Sequence, residues 1–256
     1  MKKIAIVTGA SSGMGRQFAL TVCDNVSVEE IWLIARGEKG LKETASLLPV
    51  PSKIIPLDLS ADESFAELAK VLAEEKPDIR LLVNASGFGR FESVENMDLK
   101  DMEGMIDLNC KALVRTSKLC LPYMSEGSEM IQIASMAAFQ PIPYINVYGA
   151  SKAFVLSFSR ALNQEVRKRG IHSLAVCPYW TRTRFFDRAV DEGKQIVKYY
   201  VVMYEPENII AQSWKDLKKG KDVSIYGIIA KGQAVLCKLL PHSLVMKIWQ
   251  KQQDLL

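Results

Sequence analysis

The chain has 256 residues, of which 48% are hydrophobic and 24% are charged, a balance typical of an ordinary globular protein, so disorder is not expected. Its length lies within the range of one α/β unit, and we expect a single domain over residues 1–256. The formal net charge of +4 is modest for this size, so it does not by itself indicate nucleic acid or an anionic membrane as a partner.

The first predicted element is a buried parallel strand at residues 3–8, a short run rich in β-branched side chains. It ends in TGASSGMG and is followed by a helical segment at 16–23. Glycines let the backbone approach a pyrophosphate, and a helix N-terminus favours its negative charge. The order of strand, glycine turn and helix therefore predicts a dinucleotide site that includes Gly9, Ser11, Ser12, Gly13, Met14 and Gly15.

The ends of the next two predicted strands indicate which dinucleotide is bound. The second strand, at 30–35, is followed by Arg36, and a basic residue at this place accommodates a ribose 2′-phosphate where an acidic one would bind the free hydroxyl. The third strand, at 53–57, is followed by Asp58 and Leu59, which we expect to meet the adenine amine and pack against the base. The sequence therefore favours NADP(H).

The alternation of strands and helices continues along the chain and predicts a doubly wound Rossmann fold, an α/β fold with about seven parallel strands and helices on both faces. The cofactor half covers about 1–135 and the catalytic and substrate half about 136–256. Further predicted strands lie at 79–84, 130–135, 171–177 and 222–226, and further predicted helices at 61–75, 99–124, 147–168 and 206–218.

Three polar side chains after the fifth strand suggest the chemistry. Tyr148 and Lys152 are four residues apart and share a helix face, while Ser135 ends the preceding apolar run. An ammonium beside a phenol favours the phenolate, so Tyr148 is a candidate general acid/base, and Ser135 could hold a substrate oxygen. The spacing of Tyr148 and Lys152 alone is also that of an ordinary solvated pair.

With these pieces in order, the chain resembles the short-chain dehydrogenase/reductase family from residue 3 to about 183, and is similar within it to NADP(H)-dependent hydroxysteroid dehydrogenases and ketoreductases. The motifs are TGASSGMG at 8–15, DL at 58–59, NASG at 84–87, Asn109, Ser135, YGASK at 148–152 and PYWTRT at 178–183.

The resemblance implies a role for each catalytic residue. Tyr148 would be the acid/base, and Lys152 would bind the nicotinamide ribose and lower the pKa of Tyr148. Ser135 would position the carbonyl oxygen, and Asn109 would help to hold a water that links Lys152 to solvent.

The resemblance also extends the cofactor site, which would include Asn84, Ala85, Ser86 and Gly87 beside the cofactor and Pro178, Thr181 and Thr183 around the nicotinamide. The chain departs from the family pattern twice. The usual NNAG reads NASG here, and the usual glycine after Pro178 is Tyr179.

Residues beyond 183 are expected to select the substrate. Their aromatic side chains predict a lid over a large apolar molecule, lined by Phe185, Phe186, Tyr199, Tyr200 and Met203 together with Phe139, Tyr144 and Trp180. The tail at 227–256 alternates apolar residues with lysines and predicts an amphipathic pair of helices. These helices could cap the pocket, mediate subunit contact or touch a membrane surface.

The predicted activity is that of an NADP(H)-dependent oxidoreductase interconverting a ketone and a secondary alcohol on a hydrophobic small molecule, such as a steroid, bile acid or acyl derivative. The alternatives are a reductase of 3-ketoacyl chains on a carrier protein and a cofactor-binding sensor or scaffold with little catalysis. The long helices resemble those through which family members form homodimers or homotetramers.

Compartment and metal content follow from a few residue types. Five widely spaced cysteines suit free thiols in a reducing cytoplasm, and the two isolated histidines do not form a zinc site. No window reaches the roughly 18 apolar residues of a membrane span, and the early apolar run breaks after Val7, too short for a signal peptide.

Overall fold

The computed structural model describes residues 1–190 and 196–256, and its centre is one parallel sheet. Seven strands lie in the order β3-β2-β1-β4-β5-β6-β7. Their bounds are Lys3–Thr8 (β1), Glu30–Ala35 (β2), Ser52–Pro56 (β3), Asp78–Asn84 (β4), Glu129–Ile133 (β5), His172–Val176 (β6) and Val223–Ser224 (β7). The predicted doubly wound parallel sheet is confirmed, although β7 is shorter than the predicted strand at 222–226.

Helices cover both faces of the sheet. They are Gly13–Thr21 (α1), Glu38–Ala45 (α2), Glu63–Glu75 (α3), Leu99–Ile106 (α4), Ala112–Cys120 (α5), Asn146–Val166 (α6), Phe186–Ala189 (α7), Pro206–Lys218 (α8), Ile228–Leu239 (α9) and His242–Gln252 (α10). Within the part of the chain that the structure describes, no helix combines the length and apolar character needed to cross a bilayer.

The alternation of side chains along β1 shows how the two faces are built. Ala5 and Val7 point to a core that contains Phe18 of α1 and Trp214 of α8. Ile4 and Ile6 point to a second core on the opposite face, under α3, α5 and α6. Successive strand residues face opposite ways, so a strand buried on both sides is apolar at every position. This explains the unbroken apolar run in the sequence.

The strand order places a crevice where it reverses, between β1 and β4. Ligands of open parallel sheets bind beyond the carboxyl ends of the strands at such a point. Thr8 ends β1 and Asn84 ends β4, and these two residues are register partners. The glycine turn and the NASG turn therefore leave the sheet side by side.

The helix predicted at 99–124 is interrupted at its middle. Between α4 and α5 lies a π-helical turn, Asp107–Lys111, with the buried Asn109 at its centre. A π turn inserts one extra residue into a helix and often marks a functional position. Here the turn lies against α6, the helix that carries Tyr148 and Lys152.

Candidate active site

The glycine turn has the shape of a phosphate cradle. Gly9 has a φ of 66°, and a Cβ there would lie 2.8 Å from the Ala85 carbonyl oxygen. A Cβ on Gly15 would clash with the carbonyl of Gly9, so the turn and the first turn of α1 pack backbone against backbone. Ser11 and Ser12 line the same cavity. This compact turn leaves the N-terminus of α1 open to an anion, and the residues therefore fit a dinucleotide pyrophosphate.

The NASG turn is fastened to the end of β1. The Thr8 hydroxyl accepts hydrogen bonds from the backbone N–H groups of Ala85 and Ser86, at 3.0 and 3.1 Å. Asn84 lies beneath the turn, and its amide donates to Ser117 and Gln132. Asn84 therefore stabilises the sheet and does not line the cavity, while Ala85, Ser86 and Gly87 do.

The end of β2 faces the cleft with an exposed arginine. Arg36 Nη1 lies 3.8 Å from Asp58 Oδ2, and Asp58 accepts hydrogen bonds from Ser60. Burial alone would raise the pKa of Asp58, but the Ser60 hydrogen bonds and the charges of Arg36 and Arg188 outweigh it and hold that pKa below its usual range. The carboxylate is therefore ionised beside Arg36 at neutral pH.

A second arginine at this end of the cleft was missed by the sequence reasoning. Arg188 lies in α7, and its guanidinium stacks on the ring of Phe88, 3.4 Å from the ring centroid. It lines the same cavity as Arg36. A surface arginine in a segment without a recognisable motif gives no signal in the sequence, since only the fold brings it to the cofactor side.

Ser135, Tyr148 and Lys152 are brought together at the carboxyl end of β5. Ser135 follows β5, and its hydroxyl accepts a hydrogen bond from the backbone N–H of Ala137 at 3.1 Å and lies within hydrogen-bonding reach of Tyr148. Tyr148 and Lys152 stand one turn apart on α6. Lys152 Nζ donates to the carbonyl of Ile133 at 2.8 Å and lies 5.7 Å from the centre of the Tyr148 ring.

The electrostatics of this group differ from the expectation that the lysine would lower the pKa of the phenol. Burial raises the pKa of Tyr148 to about 12, against a smaller lowering by the Ser135 hydrogen bond. Burial also lowers the pKa of Lys152 to about 8. The charged form of each group is disfavoured where water is excluded. The phenol is therefore protonated at neutral pH and is placed to donate a proton.

Asn109 is buried behind this group and does not line the cavity. Its Oδ1 accepts from the backbone N–H of Phe88 at 3.0 Å, and its Nδ2 donates to the Phe88 carbonyl and the Ser151 hydroxyl, both at 2.9 Å. A Cβ on Gly87 would lie 2.8 Å from Asn109 Oδ1 and 3.4 Å from Lys152 Nζ. The Asn109 side chain therefore fixes the chain at 87–88 against Lys152.

One cavity of about 960 Å³ joins these parts. Asn84 and Asn109 lie behind its wall, and every other catalytic or cofactor residue predicted from the sequence lines it. These lining residues are Gly9, Ser11, Ser12, Gly13, Met14, Gly15, Arg36, Asp58, Leu59, Ala85, Ser86, Gly87, Ser135, Tyr148, Lys152, Pro178, Thr181 and Thr183.

The far end of the cavity is apolar, as predicted, but the set of lining residues differs. Trp180, Phe185 and Phe186 line it. The other predicted wall residues, Phe139, Tyr144, Tyr199, Tyr200 and Met203, do not. Tyr200 instead packs behind the wall with its ring centroid 5.0 Å from that of Trp180.

Several wall residues were not predicted, among them Phe91, Ile142, Val245 and Trp249. Trp249 stacks on Trp180 at 6.4 Å and donates to the Pro143 carbonyl at 3.1 Å. Its spacing of four from Val245 could have indicated an inward helix face. Nothing in the sequence indicates which wall that face meets.

Within the described residues, 1–190 and 196–256, no group of three or more histidine, cysteine, aspartate or glutamate side chains is placed to hold a metal ion. All five cysteines are free thiols. The polar groups at the catalytic end of the cavity are therefore hydroxyls and an amine. These groups suit proton transfer to or from a substrate oxygen.

Comparison with known proteins gives two kinds of match. The family model described as short chain dehydrogenase matches residues 3–194. An uncharacterised oxidoreductase of Staphylococcus aureus strain MRSA252 is 30% identical over 179 residues, which cover 69% of this chain and 77% of that protein.

Solved structures agree with the fold. A short-chain dehydrogenase from Sphingobium yanoikuyae in complex with NADPH is 26% identical, with a TM-score of 0.78, covering 91% of this chain and 92% of that one. A short-chain dehydrogenase/reductase from Burkholderia phymatum in complex with NAD has the same TM-score of 0.78 at 19% identity, with 92% of each chain covered.

Proposed function

Because the chain belongs to the short-chain dehydrogenase family, we propose that it interconverts a ketone and a secondary alcohol on a hydrophobic small molecule, with NADP(H) as cofactor. The family expected from the motifs is confirmed, and the closer likeness to hydroxysteroid dehydrogenases stays a prediction. The observation that carries the proposal is the placement of Ser135, Tyr148 and Lys152 in one cavity that joins a phosphate cradle to an apolar chamber.

The bound nicotinamide cofactor would supply or accept the hydride, and the residues of the chain would manage the substrate oxygen. The protonated Tyr148 hydroxyl donates its proton to that oxygen in the direction of reduction. The Ser135 hydroxyl, within hydrogen-bonding reach of Tyr148, donates a second hydrogen bond to the same oxygen. Together these donors stabilise the charge that develops on the oxygen as the carbonyl is reduced.

Lys152 would hold the nicotinamide ribose and return protons to Tyr148. Its pKa of about 8 lets it gain and lose a proton near neutral pH, as a relay requires. Both N–H groups of the Asn109 amide are engaged, by the Phe88 carbonyl and the Ser151 hydroxyl, and its oxygen accepts from the Phe88 N–H. The Asn109 side chain therefore has no N–H left for a water and fixes the geometry of the chain at 87–88.

The preference for NADP(H) is supported by two arginines that line the adenosine end of the cavity. Arg36 follows β2, and Arg188 reaches the same end from α7. A guanidinium pairs well with a phosphate, and two of them favour the 2′-phosphate over a free hydroxyl. The Sphingobium yanoikuyae protein was solved with NADPH and the Burkholderia phymatum protein with NAD, so the proposed preference rests on the two arginines.

The proposed substrate is apolar because the chamber beyond Tyr148 is walled by large hydrophobic side chains. Phe185 lies 5.3 Å from the Tyr148 ring, and Phe91 lies 6.3 Å from it. The α9 and α10 helices close the far side. A steroid, bile acid or acyl derivative would fill such a chamber and bury its surface there.

One observation favours the reduction of carrier-bound acyl chains as a second candidate. Lys231 and Lys238 are exposed on α9, which borders the cavity, and an acidic carrier protein would be attracted to them. Activity towards a 3-ketoacyl chain on its carrier but not towards the free thioester would favour this candidate.

We also propose that the protein is a homodimer or homotetramer in a reducing cytoplasm, where its five free thiols would persist. Leu99 and Ile106 of α4 are 65% and 52% exposed, and Phe154 of α6 is 43% exposed. These side chains form an apolar surface on the helices expected to mediate assembly. Light scattering during gel filtration measures the mass, and a monomer would contradict the proposal.

Tyr148→Phe tests the reaction. This variant keeps the ring and removes the proton donor, so turnover of a ketone panel with NADPH should fall at least 1000-fold, a loss at the upper end of acid/base contributions, while NADPH binding persists. The matched control is Tyr123→Phe, remote from the cavity, which should retain full activity. Undiminished turnover by Tyr148→Phe would refute the assignment.

Arg36→Asp tests the cofactor preference. It removes a charge-assisted contact worth about 1.5–3 kcal/mol, so kcat/KM for NADPH should fall about 10- to 100-fold relative to NADH. An unchanged ratio would rule out the 2′-phosphate role. Steady-state kinetics followed by absorbance of the reduced nicotinamide measure both cofactors.

A further inference from the structure

Two neighbouring helices, α9 and α10, expose an unusual amount of apolar surface. Half of the large apolar side chains that are exposed among the described residues lie between 228 and 256. We call this surface the α9–α10 face. It consists of Ile228 (89% exposed), Ile229 (48%), Val235 (56%), Leu236 (54%), Leu239 (74%), Leu244 (44%) and Ile248 (52%).

The apolar residues of α9 form two separate stripes. Ala230, Ala234 and Cys237 are buried against the protein. Ile228 and Leu239, eleven residues apart and so close to three full turns, share the opposite side, which faces solvent. The outward stripe is therefore not a by-product of core packing, since the core already has its own stripe.

The same division holds for α10. Val245 and Trp249 are buried, while Leu244 and Ile248, one turn apart, are exposed. Each helix thus presents an apolar stripe to the core and a second one to water. Exposed apolar surface of this kind marks an interaction site.

The charges beside the outward stripes are nearly all positive. Lys231 and Lys238 are exposed on α9, and Lys247 and Lys251 are exposed on α10. Asp254 is the single carboxylate side chain between 227 and 256, and it accepts a hydrogen bond from the Tyr199 hydroxyl at 3.0 Å. Lysines with long apolar stems suit a boundary where an apolar layer meets anionic groups.

The face also borders the opening of the cavity. Ile229, Leu236 and Ile248 are each about half exposed and also line the cavity. An apolar molecule that left a lipid layer at this face would enter the cavity without crossing water.

We propose that the α9–α10 face is a docking surface for an anionic lipid bilayer, with the outward apolar stripes in the interfacial layer and the lysines on lipid phosphates. Helices with one apolar and one basic side bind membranes in this orientation, and their affinity depends on both buried apolar area and anionic lipid. The proposal goes beyond the proposed reaction and does not depend on it.

Two other occupants fit the face less well. A second copy of the chain across a two-fold axis would place the same surface against itself, so lysines would face lysines with almost no carboxylates to pair them. An acidic carrier protein would pair with the lysines but would leave the outward stripes, including the 89% exposed Ile228, in water.

The test is co-sedimentation of the full chain with vesicles of phosphatidylcholine alone and of phosphatidylcholine mixed with phosphatidylglycerol. We expect stronger binding to the anionic vesicles, weakened as ionic strength rises to about 1 M, where the Debye length falls to about 3 Å. Lys231→Gln and Lys238→Gln should each lower the partition coefficient about fivefold, since each lysine near the surface contributes about 1 kcal/mol.

Leu239→Glu tests the apolar contact and should reduce vesicle binding at least tenfold, because the exposed leucine side chain would be buried in the lipid layer and a carboxylate would not. The matched control is Leu47→Glu, which changes an equally apolar and 57% exposed side chain outside the face and should bind like the wild type. Circular dichroism melts verify that both variants are folded.

Three results would overturn the proposal. The wild type could remain in the supernatant with both vesicle types, or Leu239→Glu could bind as tightly as Leu47→Glu. In the third, vesicles bind neither protein, and gel filtration shows that the wild type is an oligomer while Leu239→Glu is a monomer. This result would assign the face to a second copy of the chain. None of these experiments measures ketone reduction, so their outcomes stay the same if the proposed enzymatic activity is wrong.

Discussion

Gly87→Ala is the substitution that most directly tests the packing behind Ser135, Tyr148 and Lys152. The added Cβ would lie 2.8 Å from Asn109 Oδ1 and 3.4 Å from Lys152 Nζ. The first distance is shorter than real Cβ contacts, so either the Asn109 side chain or the backbone at 87 must move. Asn109 cannot move freely, because its amide is held by both backbone groups of Phe88 and by Ser151.

The added methyl group destabilises the fold whichever part moves. Overpacking a tight site costs about 1–3 kcal/mol. Displacement of the Asn109 amide would instead weaken three hydrogen bonds, each with a net contribution of about 0.5–1.5 kcal/mol. We therefore expect Gly87→Ala to lower the free energy of unfolding by about 1–3 kcal/mol. At about 2–4 °C per kcal/mol for a chain of this size, Tm should fall by about 2–12 °C.

Gly232→Ala is the matched control, because the same methyl group meets nothing within 4 Å there. Gly232 lies inside α9, where alanine is favoured over glycine by about 0.5–1 kcal/mol, so its Tm should rise by about 1–4 °C. Thermal unfolding followed by circular dichroism measures both variants. A Gly87→Ala protein as stable as the wild type would refute the reasoning, since it would show that the 87–109 contact relaxes at no cost.

Two further changes test other parts of the structure. Gln253 is fully buried; it accepts hydrogen bonds from the backbone N–H groups of Lys198 and Tyr199 and donates to the Tyr199 carbonyl. Gln253→Leu should therefore increase amide hydrogen exchange at 197–200, whereas Gln252→Leu, at an exposed position, should not. Equal protection in the two variants would show that Gln253 does not hold this segment. Burial lowers the pKa of Lys152 to about 8 from its ordinary 10.5. Between about pH 8 and 10.5 the folded chain has therefore lost a proton that the unfolded chain still binds, and the wild type gains stability as the pH rises through this range. Lys152→Met lacks this titration, so its free energy of unfolding relative to that of the wild type should fall by about 2 kcal/mol between about pH 8 and 10. Denaturant titrations measure both proteins, and a difference that stays constant with pH would show that the amine is not buried as described.

The sheet and the cofactor turn were accessible from the sequence because their signals are local. A strand buried on both faces must be apolar throughout, so β1 and β2 are visible as short apolar runs. The glycine turn follows β1 directly in the chain, and the four-residue spacing of Tyr148 and Lys152 reflects the period of one helix. Each of these patterns lies within a few residues, and the physics that produces it acts over the same distance.

Contacts between distant segments were not accessible in this way. The π-helical turn at Asn109 depends on what packs against it from the NASG turn and α6, and no helix propensity predicts it. Arg188 joins the cofactor end of the cavity, and Trp249 joins its wall, because α7 and α10 fold back over the sheet. Partners separated by tens of residues leave no period in the sequence.

The sequence by itself determined the order of the strands and helices, the glycine turn after β1 and the choice of the proposed catalytic side chains, because spacing and residue type suffice for each. Only the tertiary structure decided their environment. It buried Lys152 and partly buried Tyr148, and this burial raises the pKa of the phenol and lowers the pKa of the amine. It also turned the outward stripes of α9 and α10 towards solvent beside the cavity, since which helix face is buried depends on what the rest of the chain places against it.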